Sequence, residues 1–126
     1  MSDRTLAEKL FLKPGRNLVV LNAPQGYPEK LGPLPDFAKI VDSSEPADVL
    51  LLFALNSAEL SAQFQKTIGL LNAKTVFWVC YPKLSGSLKG DLSREIIVAY
   101  TVSLGWKGVF MISLDEDWSA MRLMPQ

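Results

Sequence analysis

Polar side chains that could hold a small ligand follow each of the predicted central strands. Asn22, Asp42 and Asn56 come directly after apolar segments, and Tyr81-Pro82-Lys83 ends another. The carboxyl ends of parallel strands share one edge of a sheet, where open α/β sheets bind ligands. These groups could form a rim that orients a small anionic metabolite. The interpretation that we favour is that these residues are polar only because they lie in loops.

The most distinctive motif is Asp117-Trp118-Ser119-x-x-Arg122. On an extended strand Trp118 and Arg122 share one side, and Ser119 lies on the other. We expect Arg122 to stack on Trp118 or to pair with Asp117. A structural lock for the last strand is favoured over a ligand role.

Arg94 is predicted in the first turn of a helix, where the dipole disfavours a cation. We expect a salt bridge with Asp91, Asp115 or Asp117 rather than a substrate clamp. The candidate ligand-binding residues are Asn22, Tyr81, Lys83, Arg94, Trp118, Ser119 and Arg122, and no catalytic residue is predicted.

The loop after the first strand departs from a nucleotide-binding fingerprint. Asp42 follows Asn22 at about the spacing of a ribose-binding acid. However, residues 22–27 contain one glycine, and Pro24 removes an amide donor. We therefore predict no cofactor, on a scaffold without the usual cofactor site. Asp42 is expected to be a turn residue that caps Ser44.

Two further features could carry chemistry. Residues 83–90 resemble a phosphate cradle in composition, but they do not end in Gly-Lys-Ser/Thr. Asp91 behind them would also repel an anion, so a surface loop is expected. Cys80 lies in an apolar strand and is expected to be a small buried hydrophobe.

Composition excludes several classes of function. The 126 residues suit one domain, and thirteen basic residues balance thirteen acidic ones, which gives no support for nucleic-acid binding. Histidine is absent, which removes the commonest base and zinc ligand, and no metal site is expected. The apolar run Val49 to Leu55 is too short to cross a membrane. The charged N-terminus lacks a signal-peptide core, so a cytoplasmic location is expected.

Strand and helix patterns alternate along the chain. Predicted strands cover Asn17–Asn22, Phe37–Val41, Asp48–Leu55, Lys74–Tyr81, Val109–Leu114 and Met121–Met124. Helices are expected at 3–12, after a cap at Asn56 or Ser57, and between the cap Asp91 and Gly105. Glu59 is placed for a capping box with Asn56. Their apolar stripes are Leu60, Phe64, Ile68 and Leu71 in the second helix, and Leu92, Ile96, Tyr100 and Leu104 in the third.

This alternation predicts an α/β fold with a mostly parallel sheet, helices on both faces and a C-terminal antiparallel hairpin. The arrangement resembles a Rossmann-like sheet of the methyltransferase type, whose last two strands form such a hairpin.

The sequence also resembles an uncharacterised bacterial family, the domain of unknown function numbered 3052. The similarity rests on residues 48–53, Trp78 with Tyr81-Pro82-Lys83, residues 91–94 and residues 117–123, together with the start of the chain at 10–15 and 21–24. The resemblance implies no activity, and it points to Lys83, Trp118, Ser119 and Arg122.

These observations lead us to expect a small non-catalytic ligand- or protein-binding module, without a membrane or nucleic-acid partner. Pairing of two copies through the edge hairpin is a further expectation. The alternatives are a small enzyme or sensor that binds an anionic metabolite at the strand ends, and a purely structural interaction protein.

Overall fold

The computed structural model describes residues 5–27, 29–83 and 90–126. These residues form helices, strands and one 3-10 turn in this order: α1 Leu6–Lys9, β1 Asn17–Leu21, the turn Glu29–Leu31, β2 Lys39–Val41, β3 Val49–Phe53, α2 Ser57–Ile68, β4 Val76–Pro82, α3 Arg94–Val102, β5 Trp106–Ser113 and β6 Trp118–Pro125.

The strands form one sheet in the order β2-β1-β3-β4-β6-β5. The first four strands pair in parallel, and β6 runs antiparallel to both of its neighbours. All five residues of β3 are apolar and buried, as expected for a central parallel strand covered on both faces. The predicted mostly parallel sheet with a C-terminal antiparallel hairpin is confirmed.

Alternate residues of the strands build two apolar cores. Leu51 and Trp78 belong to one core, which α1, Tyr27 and residues 29–38 cover. Leu50 and Phe77 belong to the other, which α2 and α3 cover. This alternation is the normal consequence of the strand period of two residues. Both faces of the central strands β3 and β4 are therefore covered by other elements.

The first helix is shorter than the predicted 3–12. Thr5 and Glu8 form a capping box at its start. Phe11 has a left-handed φ of 69° just after its end, which is incompatible with a continued helix. The Leu10 carbonyl accepts a hydrogen bond of 3.1 Å from the buried Trp78 indole, which ties this segment to the sheet.

The connection from β1 to β2 is a proline-rich segment with one 3-10 turn, as expected from its prolines. Tyr27 and Leu31 are buried, so the segment covers the sheet where a longer helix could have packed. The predicted second strand is too long. Phe37 has a φ of 62° and is 91% exposed, so β2 begins only at Lys39.

The cap predicted for α3 is wrong. Ser93, not Asp91, accepts a hydrogen bond of 3.2 Å from the Ile96 N–H. Of the predicted stripe, Leu92 is buried but precedes the helix, and Tyr100 and Leu104 pack half-buried against the core. Ile96 is 43% exposed, and Ile97 and Thr101 are buried in its place.

The hairpin is antiparallel as predicted, and both of its strands are longer than predicted. Within the described ranges, no helix is sufficiently long and apolar to span a membrane.

Candidate functional site

A groove of about 320 Å³ opens at the carboxyl edge of the sheet, between the ends of β1 and β3. From β1 the chain continues outward to β2, whereas from β3 it continues in the opposite direction to β4. This is the switch point at which ligands bind in open α/β sheets. The residues that line it are Asn22, Ala23, Pro24, Leu55, Glu59 and Trp118, and we call it the candidate groove.

Asn22 turns the chain sharply as β1 ends. Its φ of 57° is in the left-handed region, which asparagine tolerates better than most residues. The Asn22 amide donates to the Phe53 carbonyl at 2.8 Å and to the Glu59 carboxylate at 3.0 Å. One side chain thus joins the ends of β1 and β3 to the start of α2.

Glu59 contributes the carboxylate of the candidate groove. The same oxygen that accepts from Asn22 accepts a hydrogen bond of 2.9 Å from the Leu55 N–H. Asn56 caps α2 by accepting a hydrogen bond of 2.9 Å from the Glu59 N–H, as predicted. In a full capping box the Glu59 carboxylate would accept from the Asn56 N–H, but here it accepts from the Leu55 N–H instead. Glu59 is therefore held in place at the mouth of the groove.

Asp91 supports this edge from the far end of the β4–α3 connection. Its carboxylate accepts a hydrogen bond of 2.7 Å from the Ser57 N–H, which lowers the pKa of Asp91. Gly90 packs so closely that a Cβ there would lie 2.2 Å from the Leu55 carbonyl oxygen. Asp91 therefore serves the start of α2 instead of capping its own helix.

Three aromatic rings form a row beneath the candidate groove. Tyr27 and Phe53 have ring centroids 4.9 Å apart, and Phe53 meets Trp118 edge-on at 5.1 Å. Trp118 is only 6% exposed. This packing agrees with the expected role of Trp118 as a lock for the last strand, and the remaining surface of Trp118 lines the groove.

Asp115 fixes the hairpin turn over this row. Its carboxylate accepts bonds of 2.8 Å from the N–H groups of Asp117 and Trp118, and one of 2.6 Å from the Tyr27 hydroxyl. Burial raises the pKa of Asp115, but these bonds and the charge of Lys30 give a net lowering. Burial and the carboxylate together raise the pKa of Tyr27.

Tyr81 and Lys83 lie away from the candidate groove. Tyr81 is buried, its hydroxyl lies 3.0 Å from the Met111 sulfur, and burial raises its pKa. The Lys83 ammonium donates to the Ser113 hydroxyl at 2.6 Å, and its N–H donates to the Asp117 carbonyl at 2.8 Å. Lys83 therefore ties β4 to the hairpin.

Arg94 and Ser119 belong to the α3 side of the sheet. Arg94 lines a separate groove of about 420 Å³ beside β5, and its charge acts on Tyr81. Ser119 pairs in register with Tyr81 and with Ser113. Asp91 and Asp115, two of the expected partners of Arg94, are engaged by other groups.

Arg122 lies far from the predicted rim. It pairs with Trp78 in the middle of β4, and its guanidinium stacks on Phe11 at 4.9 Å. The predicted stacking on Trp118 is wrong, because residues 118 and 122 share a side but are four positions apart along an extended strand. The rim therefore does not gather all the predicted residues.

Asp42 and Cys80 behave as the sequence predicts. The Asp42 carboxylate accepts a hydrogen bond of 2.9 Å from the Ser44 N–H and another from the Ser44 hydroxyl, which lower its pKa. Cys80 is fully buried, and burial raises the pKa of its thiol. Of the predicted surface loop, residues 84–89 lie outside the described residues.

Glu59 is a site residue that the sequence indicated only as a helix-capping partner. Its place in the first turn after β3 puts it at the carboxyl edge. The apolar walls of the groove have no reactive groups that a sequence pattern could indicate, so only the fold identifies them. They are Ala23, Pro24 and Leu55. Within the described residues, no group of three His, Cys, Asp or Glu side chains could hold a metal ion.

No protein-family model matches the sequence, and no protein of curated function matches it. Solved structures do match. The structure of DhpI with SAH (S-adenosylhomocysteine) has a TM-score of 0.61 at 10% identity, covering 96% of this chain and 82% of that one. A DhpI complex with SAM (S-adenosylmethionine) and HEP has a TM-score of 0.60 at 9% identity, covering 95% of this chain and 84% of that one. The Bacillus subtilis m1A22 tRNA methyltransferase TrmK has a TM-score of 0.54 at 11% identity, covering 100% of this chain and 67% of that one.

This is the Rossmann-like methyltransferase fold. The predicted fold class is confirmed by these likenesses and by the strand order. The predicted function is wrong. From the sequence we expected a non-catalytic module without the usual cofactor site, or a small enzyme or sensor that binds an anionic metabolite at the strand ends. The matching structures are instead complexes with SAH and SAM and a tRNA methyltransferase.

Proposed function

We propose that this chain binds S-adenosylmethionine in the candidate groove and acts as a methyltransferase. One observation carries the proposal. The groove lies at the switch point between β1 and β3 of a fold whose solved examples include complexes with SAM and SAH. The strand order and the lining residues locate this groove without reference to those complexes.

The lining of the groove fits the chemistry of an adenosyl sulfonium compound. Ala23, Pro24, Leu55 and Trp118 offer apolar surfaces for an adenine ring or a thioether. The Glu59 carboxylate suits a positive charge or ribose hydroxyl groups. A volume of about 320 Å³ lies at the low end of the range for small-molecule sites.

The proline in the first loop is compatible with this ligand. A dinucleotide fingerprint needs glycines and amide donors because its backbone wraps a pyrophosphate. S-adenosylmethionine has no phosphate, so the donor missing at Pro24 costs nothing. The left-handed turn that a first glycine would supply is made here by Asn22.

When bound, S-adenosylmethionine supplies an electrophilic methyl group. The chain itself provides orientation and shelter. Glu59 is fixed by its bonds to Asn22 and Leu55, so its charge needs no rearrangement to meet a ligand. Trp118, anchored on Phe53, closes one wall against water.

Filling the groove should weaken SAH binding strongly. Ala23 is exposed and lines the groove, so Ala23→Trp is expected to block the ligand without disturbing the core. Isothermal titration with SAH should show saturable binding to the wild type and a loss of at least about tenfold for the variant. Ala62→Trp, on the exposed side of α2, is the matched control and should bind normally. Equal binding by both variants would contradict the proposed site.

The location that we propose is the cytoplasm. In support, the sequence contains one cysteine, so it lacks the disulfide framework that small secreted domains commonly use.

A further inference from the structure

A second groove, of about 330 Å³, lies at the opposite edge of the sheet. Asp48 and Val76, which stand at the starts of β3 and β4, mark this as the amino edge. Its charged lining consists of Lys13, Arg16, Lys74, Arg122 and Asp48. We call it the basic groove. The proposed methyltransferase function makes no use of it.

The charge around the basic groove is unbalanced. Four cations and one carboxylate give a formal charge of +3 (4 − 1), in a chain whose net charge is zero. The Asp48 carboxylate is already engaged by Arg16 at 3.8 Å and by the Asn17 N–H at 2.8 Å. Within the described residues, Lys13 and Lys74 have no ion-pair partner. The groove thus concentrates positive potential that the described part of the chain does not neutralise.

Arg122 supplies an independent sign of a missing partner. Its Nε is buried and, within the described residues, has no hydrogen-bond acceptor. Buried polar atoms are nearly always paired, so the described residues leave this guanidinium incompletely satisfied. The Phe11 ring on which Arg122 stacks belongs to a residue with a left-handed φ of 69°. A bulky residue in this conformation is strained, and such strain concentrates at functional sites.

We propose that the basic groove binds a chain of two or three phosphoryl groups, carried by an inorganic polyphosphate or by a nucleotide. The arginines match phosphate oxygens with planar forks, and the two lysines act as point charges. A formal charge of +3 calls for a polyanion rather than a single carboxylate. The small volume favours a compact ligand over an extended polymer. Phe11 and Val76 add apolar surface at the same groove.

The test uses tripolyphosphate and ATP as probes in isothermal titration of the full chain. Wild type should bind tripolyphosphate saturably and more weakly as salt increases. The double variant Lys13→Ala/Lys74→Ala, which changes only exposed side chains, should lose about tenfold or more. Lys66→Ala/Lys107→Ala removes the same charge elsewhere and should bind as the wild type does. Arg122→Lys, which keeps the charge but loses the fork, should weaken binding severalfold.

Comparison of the two probes distinguishes a nucleotide from an inorganic polyphosphate as the ligand. Tighter binding of ATP than of tripolyphosphate assigns a nucleotide, and equal or weaker binding assigns the inorganic chain; both support the proposal. Absence of saturable binding of either probe at millimolar concentration, or a double variant within twofold of wild type, would overturn it. Tighter binding of single-stranded RNA per phosphate would also overturn the small-ligand assignment. SAH titrated into the double variant should bind normally, which separates this site from the candidate groove.

Discussion

At the scale of single residues, the carboxyl edge depends on side chains that each serve several backbone groups. Asn22 and Glu59 join three elements, and Asp115 joins the hairpin turn to the segment that crosses the sheet. The residue types at these positions were visible in the sequence, but their partners were not. Tyr27 meets Asp115 across 88 positions, a separation that no local pattern encodes.

Asp115 should make the stability of the fold depend on acid. Its pKa is lowered in the folded protein, so its contribution is present above the ordinary carboxyl range and is lost as the pH falls through the folded pKa. Asp115→Asn should cost about 1–3 kcal/mol at pH 7. It should also lose less stability than the wild type between neutral pH and about pH 3.

Urea unfolding at the two pH values measures both effects. Asp36→Asn, an exposed site, serves as the control and should behave as the wild type does. If Asp115→Asn and the wild type lost the same stability on acidification, Asp115 would not be the titrating clamp.

At the scale of elements, the sequence predicted what local physics controls. The apolar run of β3, the cap at Asn56 and the stripe through Leu60 and Phe64 were all confirmed. Errors arose where tertiary contacts decide. Asp91 is a residue type that caps helices well. However, Gly90 packs against Leu55, which places Asp91 at the start of α2, where it binds the Ser57 N–H. Phe37 has strand propensity, but its backbone is left-handed.

Gly90 should therefore be a sensitive position for the candidate groove. Gly90→Ala would place a Cβ 2.2 Å from the Leu55 carbonyl oxygen, so the backbone that forms one groove wall must move. We expect a loss of stability of about 1–3 kcal/mol together with weaker SAH binding. Thermal unfolding and titration measure the two effects.

The control for this change is Gly69→Ala. Gly69 has an ordinary helical φ of −68°, and an added Cβ would make only normal contacts. This variant should be neutral or more stable by up to about 1 kcal/mol. A Gly90→Ala variant that matched it would show that the close approach to Leu55 is dispensable.

At the scale of the whole molecule, β5 forms one edge of the sheet. Val109, Phe110 and Met111 are each about 40% exposed there. An uncovered apolar edge is a template for another strand, and a two-fold axis could pair β5 with its copy. We propose that two copies associate in this way, as the hairpin pattern in the sequence led us to expect.

Val109→Lys should prevent this association. A lysine on an edge strand disfavours pairing, and Val109 lies where the β5–β6 register shifts, so the sheet itself should tolerate the change. Light scattering should give about twice the mass of one chain for the wild type and a single chain for the variant. Val102→Lys, equally exposed on α3, should stay dimeric. A monomeric wild type would refute the pairing.

The order of the strands brings Asn22, Leu55 and Glu59 together from β1, β3 and α2, and β6 adds Trp118. The most direct test of this assembly is the map of backbone amide shifts in ¹⁵N-labelled protein titrated with SAH. We expect the largest changes at these four residues and at Ala23, with little change at Arg16 and Lys74. If SAH moved no amides, or moved chiefly those around the basic groove, the proposed cofactor site would be wrong.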